Sequence, residues 1–396
     1  MPATYLLAAC RTPIGKFLGS LASVPAPRLG AIAVAEAVRR AQLAPAAIDE
    51  VILGNVVSAG LGQAPARQAA LFAGLPPTVA ALTINKVCGS GLKAVMLADQ
   101  AIRAGDAQAI VAGGMESMSR APYLLQNART GWKYGNQTAI DALIHDGLWC
   151  AFENVAMGCQ ADYIASSRGV TRANQDAFAL ESHRRALAAM EEGRFFAELT
   201  PVKIVGPKGR ETIVERDEGP RPDSSLEALQ KLAPAFGPAG TVTAGNASQM
   251  SDGAAAVVVV SEELAAQSTA ELRARIVASA TSGVAPKEIF IAPVSAMEQV
   301  LAKARLTVAD IDLFELNEAF AAQALACQRP LNIPSEKLNV HGGAVALGHP
   351  IGASGARVLV TLLFALQARG LKRGLAALCL GGGNAVAMIV EMADRH

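Results

Sequence analysis

At 396 residues the chain is too long for one ordinary core and points to two or three domains. Apolar residues make up 52% and charged residues 17%, which excludes extended disorder; aromatics at only 4% leave a core of Ala, Val, Leu and Ile, suited to layered helices and sheets. A net charge of +1 supplies no global field for nucleic acid or a membrane surface, so an anionic ligand must be held by local groups.

The segment from Met1 to Arg11 has no basic stretch ahead of its apolar run and reads as a first strand, not a signal peptide. Val51 to Val57 reads as a buried strand. Val87-Cys88-Gly89-Ser90-Gly91 is a glycine-rich turn that opens a helix running to Arg103, with Leu92, Val95, Met96 and Ile102 as its apolar positions. Ala109 to Gly114 is the next strand. Strand, helix and strand at this spacing indicate an α/β architecture with parallel pairing.

Charged residues are denser between 119 and 247, where Gly206-Pro207, Gly219-Pro220 and Gly237-Pro238 mark turns and Asn174 to Gly193 reads as an amphipathic helix. This stretch reads as an inserted domain. The chain returns to the first unit at Thr243 to Ser248 and the strand Ala254 to Val260. A similar order then repeats. Ile48 to Asn55 is matched by Ile311 to Asn317, Gly89-Ser90-Gly91 by Ala353-Ser354-Gly355, and Ile110 to Gly114 by Ala377 to Gly382. Two duplicated halves are expected, residues 1–118 with 248–269 and residues 270–396, around the insertion 119–247. The apolar run Ala376 to Val390 is broken by Gly381-Gly382-Gly383-Asn384 and is too short to span a membrane.

The cysteines, at 10, 88, 150, 159, 327 and 379, fit neither a disulfide framework nor a zinc site, and free thiols suit a reducing cytoplasm. No metal is expected. Cys88 lies where unpaired N–H groups and the positive end of a helix would stabilise a thiolate, a competent nucleophile toward a thioester. Alone, that pattern also fits a small buried cysteine beside a tight turn. Three further segments bear on it: Asn317-Glu318-Ala319-Phe320, the glycine-rich loop Gly342 to Pro350 with His349, and Cys379-Leu380-Gly381-Gly382-Gly383. The other histidines, His145, His183, His341 and His396, have less suggestive surroundings.

Together with Arg11 to Gly15 and Gly113 to Arg120, these strings resemble the thiolase family over essentially the whole chain. The resemblance implies an α/β fold of two duplicated halves in α-β-α-β-α layers with an inserted loop domain. It implies an acyltransferase that condenses two acetyl-CoA reversibly to acetoacetyl-CoA and CoA. CoA is then a substrate, and no cofactor is implied. Cys88 would carry the acyl group, His349 would take its proton, and Cys379 would deprotonate the second acetyl-CoA with a pKa near the working pH. His349 and a water on Asn317 would form one oxyanion hole, and the N–H groups of Cys88 and Gly381 the other. Leu148, Met157, Phe236, Ala319 and Phe320 would line the pantetheine tunnel, with Ser248 as a polar contact and Arg221 near the adenine nucleotide. A homodimer or homotetramer is implied.

Two segments depart from the family pattern. Ala156 precedes Met157-Gly158 where many thiolases have histidine, and Pro286-Lys287 leads to Ile289-Phe290-Ile291 where small residues are usual. Both border the acyl end of the tunnel, so chain-length preference is less fixed than reaction type. A longer-chain 3-ketoacyl-CoA thiolase, a ketoacyl synthase and a non-catalytic CoA-binding relative are the competing readings.

Overall fold

Runs of small and β-branched apolar residues, buried on both faces, build one long mixed sheet. Its strands in chain order are β1 (Thr4–Arg11), β2 (Glu50–Gly54), β3 (Ala80–Ile84), β4 (Ala109–Ser117), β5 (Ser251–Ser261), β6 (Ala274–Gly283), β7 (Leu313–Leu316), β8 (Arg373–Leu380) and β9 (Asn384–Met392). The computed structural model describes residues 2–206 and 209–393, so Pro207 of the first Gly-Pro turn and His396 lie outside it. The strand path is β7-β8-β9-β6-β1-β5-β4-β2-β3.

The duplication is visible in the pairing. β2–β4 and β7–β8 are parallel, while β4–β5–β1 and β8–β9–β6 are antiparallel. Each half carries a register shift at the equivalent place, between Leu6 and Ala8 and between Ile276 and Ala278. The halves join where β1 meets β6, at Tyr5 with Arg275 and Leu6 with Ala274. Between the two parts of the sheet run α1 (Ser90–Ala104) and α2 (Ser354–Arg369), both packed into the largest apolar cluster. They cross where a Cβ on Gly91 would lie 2.6 Å from the Ala356 amide nitrogen and one on Gly355 would overlap the Leu92 nitrogen. Helices Ala26–Ala41 and Ala292–Ala304 cover the outer faces, which completes five layers.

Several expected boundaries move. The strand expected over 51–57 ends at Gly54, because residues 55–57 leave the sheet to place the Val56 and Val57 amides on the Glu116 carboxylate. The run 376–390 breaks at its glycines as expected, into two strands of a hairpin. The helix expected over 174–193 is Arg172–Glu191, started two residues early by a capping box of Thr171 and Asn174. The strand expected over 109–114 continues to Ser117 against β5.

The insertion is tied to the sheet through fully buried Arg11, whose Nε lies 2.6 Å from Glu198 and whose Nη1 lies 2.7 Å from Asp217. Removing one member of such a buried set costs about 3–5 kcal/mol, because its partner is left charged and unpaired. Helix Arg172–Glu191 packs on the short helix Ala344–Leu347, which leads directly to His349.

Candidate active site

Cys88 lies between β3 and α1. Asn85 Oδ1 accepts the Val87 N–H at 2.9 Å, and Ser90 Oγ accepts the Lys86 N–H at 2.8 Å. These contacts hold Val87 at φ +46°, which a β-branched residue adopts only under constraint. Gly89 has no Cβ to collide with Leu380, so this turn closes onto the end of β8. Cys379 is the penultimate residue of β8, and Gly381 begins the hairpin turn that follows. The backbone N–H groups of Cys88 and Gly381 lie on the side of the Cys88 sulfur where they favour its charged form.

His349 follows Gly348, whose φ is +108°, and its own N–H is bound by the Gln249 carbonyl at 2.9 Å. Its Nδ1 lies 2.6 Å from Ser354 Oγ, and its Nε2 lies 3.4 Å from Asn317 Nδ2. Asn317 is fully buried beyond the end of β7, with its N–H on the Ala377 carbonyl at 3.0 Å.

One pocket of about 610 Å³ brings these groups together. Cys88, His349, Cys379 and Gly381 line it, as do Leu148, Met157, Arg221, Phe236, Ser248, Ala319 and Phe320. Asn317 sits behind the wall and meets the pocket through His349. A cleft of about 670 Å³ between His341 and Arg369 holds no nucleophile. Among the described residues no cluster of His, Cys, Asp and Glu could hold a metal ion.

The family model described as thiolase, N-terminal domain, matches residues 4–263, and that described as thiolase, C-terminal domain, matches residues 270–392. The chain belongs to the thiolase family. It is 54% identical to the acetyl-CoA acetyltransferase of Escherichia coli (strain K12) over 387 residues, 98% of either chain. It is 52% identical to the acetyl-CoA acetyltransferase of Pseudomonas aeruginosa, covering 98% of this chain and 99% of that one. The crystal structure of the Bacillus anthracis acetyl-CoA acetyltransferase superposes with a TM-score of 0.97 at 41% identity, over 99% of both chains.

The protonation states of this thiolase differ from the sequence expectation. The turn and helix start were expected to favour a Cys88 thiolate, yet burial of the sulfur pushes its pKa up to about 12. The two N–H groups beside it oppose that shift without overcoming it. Cys379 was expected near the working pH; burial, then Cys88 and Cys327, raise it well above the ordinary thiol value. Burial, with Arg357 adding to it, lowers His349 to about 3. All three shifts favour uncharged groups. Thiol and imidazole are therefore the favoured states of Cys88 and His349 at neutral pH.

That state has a measurable signature. Carbamidomethylation of Cys88 by iodoacetamide is expected to rise about tenfold per pH unit from 7 to 10, because only the thiolate reacts and its fraction grows that way below the pKa. Acetyl-CoA should block the reaction. Cys88 and Cys159 are the two half-buried thiols and the other four are buried, so mass spectrometry must separate these two sites. A rate at Cys88 that is level across neutral pH would mean a preformed thiolate.

Two groups at the site escaped the sequence reading. Ser354 touches His349, and its only signal was its place in the repeated Ser-Gly opening of each central helix. Buried Glu116 accepts from Asn55 Nδ2 at 2.9 Å, Val56 N–H at 3.0 Å and Gly352 N–H at 2.9 Å, clamping the His349 loop to the first half. Nothing local to residue 116 announces partners 236 positions away.

Proposed function

We propose that the chain is an acetyl-CoA C-acetyltransferase, condensing two acetyl-CoA reversibly to acetoacetyl-CoA and CoA. The reading is carried by the convergence of Cys88, His349, Cys379 and the Gly381 turn on one pocket, with backbone N–H groups that favour charge on the Cys88 sulfur. The near-full-length relatives named for this activity support it. Thiolysis of acetoacetyl-CoA, followed by loss of its enolate absorbance, is the direct test; no turnover by the folded protein would remove the proposal.

The first half-reaction begins as Cys88 sulfur attacks the acyl carbon and its proton passes to His349 Nε2. The oxyanion rests on the N–H groups of Cys88 and Gly381, each such donor being worth about 3 kcal/mol. Collapse breaks the bond to CoA, whose sulfur leaves with the electron pair and takes the proton from Nε2. In the second half-reaction Cys379 takes the α-proton of another acetyl-CoA as its own thiol proton moves to Nε2. The enolate oxygen is held by Nε2–H and a water on Asn317. The enolate carbon bonds to the acetyl carbonyl, and Cys88 leaves and recovers its proton from His349. Both cysteines end as thiols.

CoA is thus a substrate, with Arg221 toward its nucleotide and Ser248 on the pantetheine. Catalytic thiols suit a reducing compartment, which supports a cytoplasmic location. No helix among the described residues is long and apolar enough to cross a membrane. The edge strand β3 exposes Leu82, and the insertion exposes Leu125, Tyr134 and Phe152, surfaces suited to a homodimer or homotetramer.

Chain length is decided at Phe290. It is 2% exposed, lines the pocket and stands edge-on to Phe320 with centroids 5.2 Å apart. Phe320 in turn faces Phe236 at 6.4 Å. Cys327 Sγ donates to the Phe290 carbonyl at 3.0 Å and fixes its backbone. Forcing extra methylenes against such a wall costs about 1–3 kcal/mol, roughly a tenfold to hundredfold loss in kcat/KM. Acetoacetyl-CoA is expected to outperform 3-ketooctanoyl-CoA by that margin, and Phe290→Gly to narrow it. Equal kcat/KM for the two substrates in the unmodified protein would transfer the assignment to a longer-chain thiolase.

A further inference from the structure

Ser354 opens α2 and is 1% exposed, and its hydroxyl has one proton to give. Its Oγ lies 2.9 Å from the Pro350 carbonyl oxygen, which can only accept, so the proton goes there. With its proton on Pro350, the same Oγ meets His349 Nδ1, 2.6 Å away, as acceptor. The duplicated half makes the same arrangement with an unambiguous donor. Ser90 opens α1, donates to the Val87 carbonyl at 2.6 Å and accepts the Lys86 backbone N–H at 2.8 Å. On the other side of the ring, Asn317 Nδ2 faces Nε2 at 3.4 Å and can only donate.

We propose that Ser354 is a positioning residue that holds His349 in the tautomer protonated at Nδ1, leaving the Nε2 lone pair free for the Cys88 proton. The proposal rests on the reading of His349 as the base. Because burial and Arg357 keep the imidazole uncharged at neutral pH, the tautomer alone decides whether Nε2 can accept a proton. A ring carrying its hydrogen on Nε2 has nothing to offer the thiol. When Nε2 takes that proton the ring becomes imidazolium, its Nδ1–H still on Ser354. It returns to the starting tautomer when the CoA sulfur removes the Nε2 proton, so no proton is stranded.

The test uses the full chain with 15N-labelled histidine and acetyl-CoA as the probe. Nitrogen NMR at neutral pH, assigned against a His349→Asn variant, is expected to show a pyrrole-type Nδ1 and a pyridine-type Nε2. In Ser354→Ala the Nδ1–H loses its acceptor and only the Asn317 donor still favours this tautomer, so a mixture with part of the hydrogen on Nε2 is expected. Single-turnover acetylation of Cys88 should then fall about tenfold to hundredfold, with the KM for acetyl-CoA within about twofold. A pyridine-type Nδ1 in the unmodified protein overturns the proposal, and that spectrum decides even if the variant does not fold. A variant that keeps the original tautomer, or acetylates at the parent rate, overturns it too. Should the tautomer be as proposed while His349→Ala acetylates Cys88 at full rate, the base assignment fails and the tautomer assignment stands.

Discussion

Cys379→Ala is expected to acetylate Cys88 at close to the parent rate and to lose condensation by about 10²- to 10⁴-fold, the usual contribution of a positioned base. The first transfer uses Cys88, His349 and the N–H groups of Cys88 and Gly381, and none of these is altered. The second needs a group at the α-carbon, and Cys379 is the remaining thiol on the pocket wall. The variant should therefore accumulate acetyl-Cys88, visible by mass spectrometry, while exchange of acetyl-CoA methyl protons with deuterated water stops. Acetoacetyl-CoA synthesis near the parent rate would be fatal to the role assigned to Cys379.

His349→Ala is expected to damage both half-reactions. Acetylation of Cys88 loses its proton acceptor, about 10²- to 10⁴-fold. Condensation additionally loses the N–H that holds the enolate oxygen, a further 10²- to 10³-fold or about that. The sulfur's high pKa makes the first loss severe, since there is no resting thiolate to fall back on. Single-turnover acetylation and steady-state synthesis, measured on both variants, give opposite patterns. Cys379→Ala separates the half-reactions, and His349→Ala depresses them together. A His349→Ala protein that acetylates Cys88 as fast as the parent removes His349 from the first step.

The residues proposed to react could be picked out in the chain because they sit on short glycine-rich motifs whose local geometry is nearly self-contained, and the structure brings them to one pocket. Cys88 before Gly89-Ser90-Gly91 and Cys379 before three glycines announce turns at element ends wherever they fold. The repeat was readable for the same reason, as each half must make the same strand–helix–strand unit. What could not be read was the sign of the pKa shifts. A helix start alone argues for a thiolate, but the apolar surroundings that reverse it come from other segments: Val56, Val57 and Met118 of the same half, Leu143 of the insertion and Ile351 of the other half. Ser354 and Glu116 were silent because a hydroxyl or carboxylate shows its role only when its partner is in place. The left-handed Val87 was unforeseeable, since a β-branched residue is the last that propensity would put there.

The crossing of α1 and α2 at Gly91 and Gly355 has the reciprocity of a two-fold axis: each glycine meets the residue that follows the other. The β1–β6 junction, where Tyr5 meets Arg275 and Leu6 meets Ala274, obeys the same axis. An isologous contact of that kind is what two identical chains form when they associate. The polypeptide is, in geometric terms, a homodimer fused end to end, whose related positions have since taken different work. Where one copy has Cys88 ahead of its Ser-Gly step, the other has Gly352, with His349 three residues earlier. The proposed nucleophile and base thus belong to different halves, so their pocket exists only where the two halves meet.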